Sequence, residues 1–373
     1  MLAERKNIDI KVFYTWSQTE ADEKYDPGFG QNITWDIALL EGYSYNFVNN
    51  VSHSPGSHHF KGIDNPMLIS AITNWGADAV LIYGWAFKSH LKAMRFFHTK
   101  IPVFFRGDST LLDEKIGLKK KLRRLYLQYI YRNIDKAFYA GAANKAYFIA
   151  MGFREEQLVF MPHAIDNARF AANSVNNSAG EQLRQMFNIH ENETVFLFAG
   201  KLQKKKQPDV LIACFNALKL LNSYLIIVGS GEMETALKDA NPGNPHILFL
   251  GFKNQEQMPG VYNACDVFIL PSKGPNETWG LAINEAMAAG KAIIASDKCG
   301  AAYNLIKDDI NGFVFNWDDS SALKEALKYF ENNKNATVKM GMESAIIIKE
   351  YSFLHACEEI ENIFKKAVSN NEK

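Results

Sequence analysis

The chain has 373 residues, with 41 Lys and Arg against 41 Asp and Glu, and 47% of its residues are apolar. This length predicts two domains, and the composition excludes a disordered or fibrous chain. Four scattered cysteines form no Cys-x-x-Cys pair, which argues against a disulfide framework or a zinc knuckle.

The beginning of the chain is a charged lead into a strand, without the apolar segment of a signal peptide. No run of 18 apolar residues follows anywhere. We therefore expect a cytoplasmic protein that binds at most peripherally to the inner face of the cell membrane.

Short β-branched or aromatic runs alternate with helical stretches, which is typical of parallel βαβ units. The predicted strands are 10–14, 45–48, 79–83, 103–106, 136–139, 158–161, 195–199, 224–228, 247–250, 267–270, 292–295 and 312–315. We expect an α/β fold with two Rossmann-like domains, whose parallel sheets face a cleft at the carboxyl ends of their strands.

Domain boundaries follow from the most loop-like central stretch, residues 171–180, which is rich in Asn, Ser and Ala. It predicts a first domain over 1–180, a second domain over 181–345 and a helix in the remaining residues, 346–373.

A basic helix is predicted in the first half, and 88–136 holds thirteen Lys and Arg against four Asp and Glu. Leu118, Leu122, Leu125 and Tyr129 share one face of that helix. Such a face either packs on the core or docks on anionic lipid, and we predict peripheral membrane association. Nucleic acid is not expected, because no recognition module accompanies the charge.

Two glutamates lie in 271–290: Glu277 in the loop after a strand, and Glu285 in the helix that follows this loop. Glu277 precedes the helix, where its carboxylate can accept hydrogen bonds from sugar hydroxyls. Glu285 lies about 7 Å beyond the helix start, at a rise of roughly 1.5 Å per residue, and can accept from both ribose hydroxyls. The backbone amides expected to bind phosphate oxygens are those of Trp279, Gly280 and Leu281. The spacing alone also suits a solvated helix face, but the preceding strand favours a nucleotide-sugar site.

The segment PSKGPNETWGLAINEAMAAGKAIIASDKCG resembles the signature of the retaining GT-B glycosyltransferases of family 4. FAGKLQKKKQPDVLIACF, LIIVGSGEMETALK and VYNACDVFILPS are similar to further segments of that family. The resemblance implies a GT-B fold in which 1–180 binds the acceptor, 181–345 binds the donor, and the helix in 346–373 packs back on the first domain. It places Glu277 at the donor sugar and Glu285 at the ribose.

Cations at the diphosphate would stabilise the departing charge. The resemblance assigns this role to Lys206 and to Lys201, which follows Gly200 at a position where the family carries Arg. Lysine supplies the charge without the bidentate fork of arginine. A solvated Lys run at 204–206 is the alternative.

The sequence assigns the remaining candidate site residues less specifically. The resemblance puts the base pocket at Phe252 and Lys253, although Phe252 could equally be a core residue. Gly28 and Gly30 either bring a loop close to the donor phosphates or only shape a turn. Where the family often has a His near the reacting carbon, this chain offers Arg106 or Asp108.

The resemblance therefore implies a retaining hexosyltransferase that uses a nucleotide-sugar, with UDP favoured, and a saccharide, glycolipid or other hydroxyl acceptor in cell-envelope, polysaccharide or glycolipid synthesis. No cofactor and no metal are expected, since no Asp-x-Asp occurs. An NAD-linked oxidoreductase is disfavoured, because Glu234 replaces the last Gly of a G-x-G-x-x-G. A non-catalytic sugar-nucleotide-binding relative is the remaining alternative.

Overall fold

The structure is a computed structural model that describes residues 1–16, 24–114 and 117–371. Residues 17–23, in the first loop, and 115–116, in the basic region, lie outside this description. The chain divides into two compact units. Unit 1 comprises 1–22, 38–162 and 353–373, and unit 2 comprises 23–37 and 163–352.

The elements of both units are numbered along the chain. The strands are β1 (Lys11–Tyr14), β2 (Lys24–Asp26), β3 (Gln31–Ile33), β4 (Ser44–Phe47), β5 (Val80–Tyr83), β6 (Val103–Arg106), β7 (Lys136–Tyr139), β8 (Leu158–Phe160), β9 (Thr194–Ala199), β10 (Ser223–Val228), β11 (Ile247–Gly251), β12 (Val267–Leu270), β13 (Ala292–Ser296) and β14 (Gly312–Phe315). The helices are α1 (Leu68–Trp75), α2 (Lys88–Phe97), α3 (Leu118–Tyr131), α4 (Ala142–Ala150), α5 (Asn167–Phe170), α6 (Ser174–Met186), α7 (Pro208–Leu218), α8 (Glu234–Asp239), α9 (Met258–Ala264), α10 (Leu281–Ala288), α11 (Ala302–Leu305), α12 (Ser320–Asn332), α13 (Lys334–Ile347) and α14 (Phe353–Asn371).

The main sheet of unit 2 is parallel, with the strand order β11-β10-β9-β12-β13-β14 in the described residues. All residues of β9, β12 and β13 are buried, as expected for strands covered on both faces. Phe196, Leu225 and Ile294 belong to the core around it. Because the strands are parallel, the loops after β9, β10, β11 and β12 emerge at one edge, where α/β folds bind ligands.

Unit 2 also contains an antiparallel hairpin, β2–β3, contributed by the first loop of the chain. The Ser230 hydroxyl donates a hydrogen bond to the Phe29 carbonyl at 2.8 Å. The Phe29 ring meets the Phe252 ring edge-on, with 5.0 Å between centroids. Sequence analysis predicted this segment as a loop only, so the hairpin and its place in unit 2 are additions.

The predicted loop at 171–180 is largely helical, which corrects the domain boundary at 180. The Asn173 side chain accepts a hydrogen bond from the Asn176 amide and so caps the start of α6. Gly180 is buried against α9, where an added Cβ would lie 2.8 Å from the Ala264 amide nitrogen. The division falls instead between Pro162 and His163.

Unit 1 has a parallel sheet ordered β5-β6-β7-β8 and a separate parallel pair, β1-β4, in its described part. Phe105 and Leu127 lie in its larger core cluster. The last helix, α14, begins at Phe353 and belongs to this unit, and its Phe364 ring lies 4.6 Å from that of Phe104. All twelve strands predicted from the sequence are present.

Among the described residues, no helix is both long and apolar enough to cross a membrane.

Candidate active site

Glu277 and Lys206 form an ion pair at the edge of the unit 2 sheet. Lys206 Nζ lies 2.5 Å from Glu277 Oε2, and the Ser272 hydroxyl donates to the same oxygen at 3.0 Å. The Glu277 residue as a whole is buried, with 8% of its surface exposed. The Lys273 amide, after β12, donates to the Lys205 carbonyl at 2.9 Å, which ties the two loops together. Both predicted residues therefore meet, although they are 71 positions apart.

Lys201 binds a carboxylate that the sequence analysis missed. Its Nζ lies 2.8 Å from both Oδ1 and Oδ2 of Asp26. The Gly28 amide donates to Asp26 Oδ1 at 2.7 Å, and the Phe29 amide does so at 3.2 Å. Burial acts to raise the pKa of Asp26, but the hydrogen bonds from Lys201 and the two amides outweigh burial and lower it. An Asp-Pro-Gly turn is the local signal that could have indicated a carboxylate capping its own loop.

Position 28 has no room for a larger residue while Lys201 keeps its conformation, because an added Cβ would lie 2.6 Å from Lys201 Cδ. Gly30 has a φ of +69° and open space around its Cα. Gly200 has a φ of +155° and starts the turn that presents Lys201. Gly28 and Gly200 thus lie beside the predicted cation, whereas Gly30 serves the hairpin turn.

At the start of α10, the sequence analysis assigned a role to the backbone amide of Trp279, and the structure shows what its side chain does. The Trp279 indole is buried and donates to Asn284 Oδ1 at 2.8 Å, and Asn284 Nδ2 donates to the His163 carbonyl at 2.8 Å. Gly280 precedes the helix with a φ of +99°, and Leu281 is exposed. Within the described chain, no backbone carbonyl accepts from the Leu281 amide. This helix end therefore retains donor capacity suited to an anion.

Glu285 is half-buried on α10 and accepts a hydrogen bond from the Tyr262 hydroxyl at 2.6 Å. Burial raises the pKa of Glu285 to about 7, while Tyr262 and the positive charge of Arg169 act in the opposite direction. Tyr262, fully buried on α9, was not predicted because its partner is fixed only by tertiary packing.

Phe252 and Lys253 follow β11 at the same edge of the sheet. Phe252 packs on Phe29 of the hairpin, and Lys253 makes no ion pair with any described residue. Across the residues that the structure describes, no group of three or more His, Cys, Asp or Glu side chains is arranged to hold a metal.

Arg106 and Asp108 belong to unit 1, after β6. The Arg106 guanidinium is buried and donates to the carbonyls of Met161 and Pro162. Burial lowers the pKa of Arg106, against the opposing charges of Tyr83 and Asp108. Its contacts tie the end of β6 to the chain after β8, while the Asp108 side chain is exposed.

Residues 180–345 match the family described as Glycosyl transferases group 1. This match contains the sheet of unit 2 and the residues at its edge named above, except those of the hairpin and two partners, His163 and Arg169.

A Salmonella typhimurium lipopolysaccharide 1,2-N-acetylglucosaminetransferase is 32% identical over 173 residues, covering 43% of this chain and 45% of that protein. The chain spans about a third to a half of the length of the curated relatives it matches.

Two solved structures are similar over most of the chain. HepE of Anabaena, crystallised with UDP, is 19% identical with a TM-score of 0.67, covering 87% of this chain and 86% of that one. WaaG, a glycosyltransferase involved in lipopolysaccharide biosynthesis, is 16% identical with a TM-score of 0.66, covering 97% of this chain and 92% of that one. These likenesses show a GT-B fold with two Rossmann-like domains.

Proposed function

We propose that this protein is a glycosyltransferase that moves a sugar from a nucleoside-diphosphate sugar to a hydroxyl acceptor, with retention of anomeric configuration. The observation that carries the proposal is the Lys206–Glu277 ion pair at the edge of the unit 2 sheet, within the segment that matches the glycosyltransferase family. It joins a phosphate-binding cation and a sugar-binding carboxylate at one place.

Each further group has a role in the proposal. Lys201 and Lys206 hold the diphosphate and stabilise the charge that it gains as the glycosidic bond breaks. The amide at the start of α10 binds a phosphate oxygen. Glu277 orients the sugar, and Glu285 accepts hydrogen bonds from the ribose hydroxyls. The leaving phosphate takes the proton of the acceptor hydroxyl. The proposed reaction uses no metal, because Lys201 and Lys206 supply the positive charge at the diphosphate.

UDP-sugars are the favoured donors, and the acceptor is a saccharide or glycolipid of the cell envelope. HepE crystallises with UDP, and the matched Salmonella protein is a lipopolysaccharide transferase. Thermal stabilisation by a panel of UDP-, GDP- and dTDP-sugars tests the donor, because a ligand of the folded state raises its melting temperature.

Variants of the site test the assignment. Lys206→Ala and Glu285→Ala should each weaken donor binding at least about tenfold. Lys204→Ala is the matched control, since Lys204 is exposed in the same short run. If both site variants bind the donor as the wild type does, the site is wrongly assigned. The anomeric configuration of the product, read by NMR, tests retention.

The transferase is further proposed to work at an anionic membrane surface. On α3, Leu118, Leu122, Leu125 and Tyr129 are 58–74% exposed. Leu127 and Ile130 face the core of unit 1 instead. Exposed Lys119 and Lys121 flank the apolar stripe, and such cations contribute about 1 kcal/mol each near anionic lipid.

Sedimentation with phosphatidylglycerol vesicles tests this location. Leu122→Asp with Leu125→Asp should reduce vesicle binding more than about tenfold, since both leucines would enter the interface. Leu221→Asp is the control, because Leu221 is 81% exposed on unit 2. Unchanged binding by the double variant would remove the proposed surface.

A further inference from the structure

The hairpin β2–β3 is fastened to the loops at the edge of the unit 2 sheet. Besides the contacts of Phe29 with Ser230 and Phe252, Asn254 Nδ2 donates to the Thr34 carbonyl at 2.7 Å. Asp36 Oδ2 accepts from the Glu256 amide at 3.1 Å. The hairpin therefore contacts the loops after β10 and β11, beside the turn that carries Lys201.

Asp26 engages Lys201 in the way that an anionic ligand would. Both carboxylate oxygens lie at 2.8 Å from Lys201 Nζ, and the ammonium group also lies 4.9 Å from the centre of the Phe29 ring. Gly28 also lies close to the lysine side chain, so Lys201 has three neighbours in the hairpin turn: Asp26, Gly28 and Phe29. The Lys201 and Asp26 side chains are 33% and 30% exposed, so the pair remains accessible to water and solutes.

We propose that Asp26 is an internal competitor of the donor diphosphate, which must take Lys201 from this carboxylate when it binds. The inference rests on the proposed function, because it concerns the same cation. A diphosphate that approached Lys201 while the ion pair is intact would face the negative charge of Asp26. Two anions beside the same cation repel each other. Binding therefore selects the state in which Lys201 has left Asp26.

This competition lowers the apparent affinity for the donor. If the binding-competent state is only a fraction of the population, the apparent dissociation constant rises by the inverse of that fraction. A partly exposed ion pair of this kind corresponds to a factor of about two to five. The Asp26–Lys201 pair thus sets the donor concentration at which the site fills.

Calorimetry with UDP and, separately, with inorganic pyrophosphate tests the proposal on the full chain. Asp26→Asn keeps the side-chain shape but removes the charge, and it should bind both probes about two- to fivefold more tightly than the wild type. Asp36→Asn is the matched control, because Asp36 lies in the same segment and contacts the Glu256 amide instead of Lys201. Its affinities should equal those of the wild type.

Two results would overturn the competitor role. Equal affinity in Asp26→Asn and wild type means that Asp26 does not compete, and weaker binding means that it positions Lys201 for the ligand. Failure of the proposed function looks different: UDP then binds neither protein, while the pyrophosphate comparison still decides the role of Asp26. Pyrophosphate binding that is equal or absent in both proteins counts against it.

Discussion

Lys206 Nζ lies 2.5 Å from Glu277 Oε2, and the two residues come from loops that follow neighbouring strands, β9 and β12. The lysine and glutamate side chains are 17% and 9% exposed. Removing one partner of such a pair leaves the other charge buried and unpaired, which costs more than an exposed ion pair gains. Oε1 of Glu277 receives no hydrogen bond from a described residue, so it is the oxygen available to a sugar hydroxyl.

Glu277→Gln should therefore lower both stability and turnover. The amide retains the shape but leaves Lys206 without its counter-charge. We expect a loss of roughly 1–3 kcal/mol in the free energy of unfolding and about a hundredfold fall in kcat. Urea unfolding and a transfer assay measure these effects. Glu232→Gln is the control, since Glu232 is exposed. Wild-type turnover in Glu277→Gln would exclude a role for its charge in transfer.

Much of the fold was predictable, because buried parallel strands appear as short apolar runs whatever their partners. The strands from β9 to β14 follow this rule. The hairpin β2–β3 does not, since its residues are mostly polar and its two strands pair over only three positions. The helix α6 was predicted as loop because Asn and Ser dominate its first turns, although Asn173 is there to cap it.

The site was predictable where function constrains a local segment and unpredictable where tertiary packing supplies the partner. Glu277 and Glu285 stand in one strand-loop-helix segment, so their placement followed from the sequence. Asp26 reaches Lys201 across 175 positions, and Tyr262 reaches Glu285 from another helix. Neither contact has a spacing rule, because each depends on how separate loops and helices pack.

Stability should depend on pH through Glu285. Its pKa is raised by burial from 4.5 to about 7, so the folded state retains a proton that the unfolded state has lost between these values. The free energy of unfolding therefore falls as pH rises from about 4.5 to 7 and levels off above. Glu285→Gln has no such proton. Compared at pH 5 and pH 8, the wild type should lose roughly 1–3 kcal/mol more than the variant in urea unfolding.

Nucleotide binding should show the opposite dependence on pH. In the proposed site the ribose hydroxyls donate to Glu285, and a carboxylate accepts such bonds more strongly than a protonated acid. UDP affinity of the wild type should rise between pH 6 and pH 8 relative to that of Glu285→Gln. The variant is the control for the titration of the UDP phosphates, which affects both proteins equally. Parallel pH profiles for the two proteins would show that Glu285 does not bind the ribose hydroxyls.

Gly300 should be indispensable for the loop that carries Glu277. An added Cβ would lie 1.8 Å from the Thr278 carbonyl oxygen, and the Gly300 amide donates to the Glu277 carbonyl at 3.2 Å. Gly300→Ala must displace this backbone, so donor affinity should fall more than about tenfold with the circular dichroism spectrum retained. Gly117→Ala is the control, since an added Cβ there meets nothing within 4 Å. Undiminished donor affinity in Gly300→Ala would show that the loop tolerates the shift.

Transfer should not require a divalent metal. In the proposed reaction the positive charge at the departing diphosphate comes from Lys201 and Lys206, whose ammonium groups need no added ion. After dialysis against EDTA, kcat should stay within about twofold of its starting value, because the residues that stabilise the transition state are covalently part of the chain. Lys206→Met should lose activity, and added Mg²⁺ should not restore it, since the variant creates no metal ligand. A transferase that EDTA inactivates and Mg²⁺ or Mn²⁺ reactivates would instead use a metal at the diphosphate, and the lysines would then serve binding alone.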